Sequence, residues 1–261
     1  MQQLNSNNMG LGLTSTPAAA SVTATSTTNR PVIMGALTLV AGRGLGTTLQ
    51  VATWDLNWGS GGYPLSVFGL NSGLFEDNFA GISFFTGQDI SITANLDAPG
   101  VIGGGWAVDD LQSDAQALAQ AKLMVKNQQP PGRINWVFGL GEIAVPAGAT
   151  RQVLTATAKR DGIGPGMLCL DIAGAPAVGD LQLVDVQIEG ISQMPSSNPI
   201  DALALQAGNF NRAGFSINRE LTVNTPVSLF FANPTGAPIT VSAAFLNPAT
   251  RTQKLHRAGL T

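Results

Sequence analysis

The chain has 261 residues, a formal net charge of −3 and only 11% charged residues, against roughly 25% in an average soluble domain. Its 44% hydrophobic content is enough for a sizeable core and excludes a disordered chain, which combines few apolar residues with high net charge. A surface so poor in charge sets up little repulsion between copies, so the composition favours association.

Residues 1–29 carry no charged side chain, and residues 1–30 are rich in Ser, Thr and Ala without a helical or strand period. They read as a flexible N-terminal arm. From Val32 the chain becomes short β-type runs punctuated by Gly, Pro, Asn and Asp. Val32–Val40 is apolar, and Thr48–Trp54 alternates as a half-buried strand does. Asn57-Trp58-Gly59-Ser60-Gly61-Gly62-Tyr63 reads as an exposed loop. In it Trp58 and Tyr63 are candidate surface or receptor contacts, because an amphipathic ring can stack on a sugar or on a neighbouring subunit. Strand-like runs follow at Leu65–Leu70, Gly81–Phe85, Asp89–Asn95 and Val101–Val108.

Residues 109–127 predict a helix, with Asp109 and Asp110 at its start and Lys122 and Lys126 near its end, as the helix dipole favours. Gln129-Pro130-Pro131-Gly132 ends it and suggests a domain boundary, giving one β domain over 31–131 and a second over 132–250. In the second half, Arg133–Leu140, Glu142–Val145, Arg151–Lys159, Met167–Ile172, Leu181–Ile188, Phe215–Val223 and Pro226–Ala232 read as strands. Asp201–Ala207 is open between short helix and strand. Asn233-Pro234-Thr235-Gly236 predicts a hairpin turn, with Ile239–Leu246 as the return strand. Residues 251–261 form a basic tail, in which Arg251, Lys254 and Arg257 are candidate inner-face contacts for nucleic acid, lipid headgroups or an acidic neighbour.

Catalytic groupings are sparse. His256 is the single histidine, and it lies in the basic tail, away from any relay partner that nucleophilic catalysis would need. Cys169 is the single cysteine, flanked by Met167-Leu168 and Leu170 as a buried strand thiol would be. A zinc site of His and Cys fails on these counts. Asp109-Asp110 fits a helix start better than a glycosidase pair. The chain therefore reads as a non-enzyme with no cofactor, no metal and no small-molecule substrate.

Many short strands with Gly- and Pro-rich turns favour β-sandwiches or jelly rolls over βαβ units. The expectation is an all-β chain of two jelly-roll or β-sandwich domains in tandem with one interdomain helix; a single jelly roll plus an accessory β domain is the alternative. Two blocks of strands, a helix between them, an uncharged arm and a basic tail resemble, in architecture, a small double jelly-roll major capsid protein of tailless icosahedral bacteriophages, many of which contain a membrane. The resemblance covers Val32 to Leu246. It implies a coat subunit that self-assembles into an icosahedral shell through trimers. Its partners would be copies of itself and other virion proteins, with the termini facing an internal membrane or the genome. It would be made in the host cytoplasm and reside in the virion. The alternative function is a carbohydrate- or receptor-binding β-sandwich, such as a spike, tail or adhesin component.

Overall fold

The computed structural model describes residues 6–16, 21–27, 32–40, 44–51, 54–55, 57–64, 82–84, 89–96, 99–110, 137–206, 215–246 and 249–250. Among them the structure is all-β and antiparallel in its sheets, with one 3-10 turn at Ala202–Leu205. The chain divides into two compact units, Met1–Leu56 with Phe68–Asn135 and Asn57–Val67 with Trp136–Thr261. Sequence pattern places the division after residue 131, whereas the units divide after Asn135. More significantly, Asn57–Val67 lies in the first half of the sequence yet belongs to the second unit.

The strands of the first half are β1 (Ser6–Thr16), β2 (Ser21–Thr27), β3 (Val32–Val40), β4 (Gly44–Val51), β5 (Trp54–Asp55), β6 (Tyr63–Pro64), β7 (Ile82–Phe84), β8 (Asp89–Leu96) and β9 (Gly100–Asp110). All but β6 belong to the first unit. There they make one sheet of order β1-β9-β3-β7 and another containing β2-β8-β4-β5.

Two expectations are corrected here. Most of the supposed arm is paired: β1 runs beside β9 from Ser6↔Asp109 to Thr16↔Gly100, and β2 beside β8 from Ser21↔Asn95 to Thr27↔Asp89. The reason is alternation of a kind that apolar patterns miss. Ser21, Thr23, Thr25 and Thr27 are exposed while Val22 is buried, and β-branched Thr suits a half-buried strand. A Thr23–Thr93 hydroxyl bond of 2.7 Å links the pair on its exposed face. Asp109 and Asp110, expected to open a helix, instead close β9, where Asp109 pairs with both Ser6 and Ile33. Ladder bonds on two sides outweigh a helix propensity worth only tenths of a kcal/mol per residue, about 0.7 at most for ordinary residues. The rest of that expected helix, residues 111–127, lies outside the described residues.

The second unit contains β10 (Val137–Val145), β11 (Gln152–Thr157), β12 (Gly162–Ile172), β13 (Gln182–Ile188), β14 (Ile191–Ser192), β15 (Ile200–Asp201), β16 (Ser216–Leu221), β17 (Pro226–Ala232), β18 (Ile239–Leu246) and β19 (Ala249–Thr250). One sheet has the order β10-β18-β12-β16 with β19 beside β12; the other is β11-β17-β13-β14 with β15 beside β13. Both ends of Pro226–Ala232 and Ile239–Leu246 are as the sequence pattern predicts. The hairpin between them is not: β17 pairs with β11 and β13, and β18 with β10 and β12. The turn at residues 233–238 is a corner that carries the chain from one sheet to the other. Asn233 holds it, donating from Nδ2 to the carbonyls of Val145 (3.0 Å) and Ala237 (2.8 Å).

The core of this unit lies between its sheets. β11 buries Leu154 and Ala156, β17 buries Val227, Leu229 and Phe231, and β13 buries Leu183, Val186 and Ile188. Alternation in β11 was legible, but Val153 and Thr155 face outward and Leu154 and Ala156 inward. In the facing sheet β18 is buried from Val241 through Leu246, on both of its faces. Phe245 sits opposite Phe138 of β10 and Leu168 of β12, forming a continuous apolar row across three strands. Cys169, in the next row, is fully buried, and burial pushes its thiol well above the ordinary range.

Truncating this row should be costly. Phe245→Ala is expected to lower stability by about 3–5 kcal/mol, the range for deleting a buried aromatic side chain, read as a shift of the urea unfolding midpoint at unchanged slope.

Candidate functional site

The segment Asn57–Tyr63, singled out for its two aromatic residues, is held by main-chain bonds on two sides in the second unit. It runs along β10, an edge strand of one sheet, and past the end of β11, an edge strand of the other. Trp58 N–H donates to the Val137 carbonyl at 2.7 Å, Gly61 N–H to Gly139 at 3.1 Å, and Gly141 N–H to Gly62 at 2.8 Å. On the other side, Lys159 N–H donates to the Trp58 carbonyl at 2.7 Å and Ser60 N–H to Thr157 at 2.9 Å. The Thr157 N–H donates back to Ser60 Oγ at 2.8 Å. The segment thus bonds both sheets along one side of the sandwich and covers edges that would otherwise present bare N–H and C=O groups.

Two features of its sequence make this possible. First, the buried Asn57 side chain ties the segment to itself and to β10. Its Oδ1 accepts from the N–H groups of Gly59 (3.0 Å) and Gly139 (3.1 Å), and its Nδ2 donates to the Gly61 carbonyl (2.8 Å). Second, the approach is backbone to backbone. A Cβ on Gly59 would overlap the Gly139 carbonyl, one on Gly61 would overlap the Leu140 carbonyl, and one on Gly139 would lie 2.5 Å from the Gly61 oxygen. No side-chain rotation relieves an overlap with main chain.

This corrects the reading of Trp58 and Tyr63 as an exposed contact surface. Trp58 is 2% exposed and Tyr63 fully buried, because a glycine-rich backbone pressed against two strand edges turns its large side chains inward. Neither ring has a face open to a sugar or receptor. The signal that could have found this was the glycine spacing itself, Gly59, Gly61 and Gly62, which marks close backbone approach as readily as a flexible loop. The other candidates, Arg251, Lys254 and Arg257, lie outside the described residues.

Sequence reading missed a polar group on the outer face of the β11-β17-β13-β14 sheet. A groove of about 370 Å³ is lined by Arg151, Val184, Asp185, Ser192, Met194 and Pro195 among others. The Asp185 carboxylate accepts from Ser192 Oγ at 2.6 Å and Gln187 Nε2 at 2.7 Å, and is paired with Arg151 at a long 3.4 Å. Arg151 also lies over the Phe230 ring, 4.0 Å from its centre. Burial works to raise the pKa of Asp185, but the bonds from Ser192, Gln187, the Val186 backbone and Arg151 outweigh it and hold the carboxyl below its usual value. The carboxylate is thereby committed to internal partners. Among the described residues no group of three or more His, Cys, Asp or Glu side chains could hold a metal ion.

No family model, curated protein or solved structure matches this chain.

Asn57→Ala is expected to cost about 1–3 kcal/mol, because it leaves the buried Gly139 N–H without its acceptor; faster amide exchange at Gly139 and a lower urea midpoint would show it. At Asp185 the lowered native pKa implies a stability share fully present above the unfolded value of about 3.9 and lost as pH falls through the native value. Below about pH 4 the wild-type urea midpoint should therefore fall more steeply than that of Asp185→Asn, and parallel curves would refute the assignment.

Proposed function

We propose that this chain is a virion coat subunit built of two jelly rolls in tandem. The observation that carries the reading is a repeat of topology. With β6, β15 and β19 set aside, each unit has eight strands among the described residues, and in both the first strand pairs with the eighth, the eighth with the third and the third with the sixth. In both, the companion sheet runs second, seventh, fourth, fifth. This strand order matches that of a jelly roll, an arrangement common to capsid and lectin domains, and so supports the reading.

Composition supports assembly as the activity. With 11% charged residues, contact between copies desolvates few ions, and desolvated ions are what make polar interfaces costly. Coat contacts are many and individually weak, which suits such a surface. The burial of Trp58 and Tyr63 takes these two rings out of any stacking platform for the carbohydrate- or receptor-binding alternative. In the coat reading the subunits form trimers within an icosahedral shell, and the basic residues Arg251, Lys254 and Arg257 meet an internal membrane or the genome.

Light scattering of the purified protein, paired with negative-stain imaging, tests the proposal. Trimers that pass into closed shells or hexagonal sheets as concentration rises are the expected result. A protein that stays monomeric at every concentration would overturn it.

A further inference from the structure

We propose that the seat between β10 and β11 is a strand-acceptor site, and that its ligand, the segment Asn57–Tyr63, is supplied by a second copy of this chain as well as in cis. Neighbouring copies would then exchange this segment when they associate.

The bonds that hold the seat are made by the segment itself and not by its connections. The backbone bonds to Val137, Gly139, Gly141, Thr157 and Lys159 and the Asn57 bond to Gly139 would be made identically by the same residues of another copy. Strand addition of this kind takes affinity from main-chain bonds and specificity from what the side-chain positions admit. Here the admission rule is severe: no Cβ fits at the positions of Gly59 and Gly61, while large residues at the positions of Trp58 and Tyr63 are buried. A segment that meets this rule is present in every copy, and it need not be found elsewhere.

The stretch Asn57–Val67 clusters with the second unit although its neighbours in sequence cluster with the first. Swapping the segment between copies replaces one set of contacts with an identical set, a low-cost route to association. An emptied seat would bare two strand edges, which are themselves prone to recruit a strand. The inference stands apart from the coat reading, since exchange can link two copies without any shell, and a shell can form without exchange.

Two full-length variants test it. Gly59→Val blocks a chain's own segment and leaves its seat intact; Gly139→Val blocks the seat and leaves the segment intact. Each alone should lack a seated segment. Mixed, they should give a species of twice the chain mass, with protection of the Gly139 amide regained on the Gly59→Val chain. A mixture that behaves as the sum of its parts would overturn the proposal. A second measurement needs no folded variant. A synthetic peptide of residues 57–63, photoreactive at Tyr63, is incubated in excess with the wild-type chain. Cross-links to residues 137–141 or 157–159 support exchange, and their absence counts against it equally.

Discussion

Main chain meets main chain where Gly59 and Gly61 lie on Gly139 and Leu140, and the second unit depends on that approach. A Cβ at Gly59, Gly61 or Gly139 would overlap main chain there, so these positions admit only glycine, and the bond from Gly61 to Gly139 forms across that close approach. Asn57 fixes the register by accepting from two glycine N–H groups, one of them 82 residues away. The sandwich closes as a consequence. Two edge strands on different sheets share one cover, and Trp58 and Tyr63 enter the buried interior as part of it.

Four aspartates of this unit serve local order. Asp180 accepts from the Ala177 N–H at 2.6 Å, Asp201 from Gly179 at 2.6 Å and Leu203 at 2.9 Å, and Asp161 from Val223 at 2.9 Å. Each pins a turn by satisfying N–H groups that no strand ladder reaches. Asp185 does the same work on a sheet face, gathering Ser192 and Gln187 around one carboxylate.

Strand existence was legible wherever apolar residues ran together or alternated. Val32–Val40, Pro226–Ala232 and Ile239–Leu246 have the ends that their composition suggests. Legibility failed where alternation was carried by Thr and Ser, as in β2, and where a bulge resets the period. In β13 strict alternation from Leu183 would bring Asp185 inward and leave Val186 outside. The register shift between Leu183 and Asp185 lets Val186 and Ile188 join Leu183 in the core. It failed again at residues 233–238, where a turn composition suited to a hairpin makes a corner between sheets.

The sequence by itself determined the all-β class, the rhythm of short strands and the poverty of charge, because these depend on propensity and period within a few residues. Only the tertiary structure decided which strands pair, that β1 and β2 are strands at all, and that Asn57–Tyr63 belongs to the second unit. Those outcomes rest on partners some 70 to 100 residues distant, such as Asn57 with Gly139 or Thr23 with Thr93. A local pattern records how well a segment suits an extended backbone; it holds no record of which distant edge is left open for it.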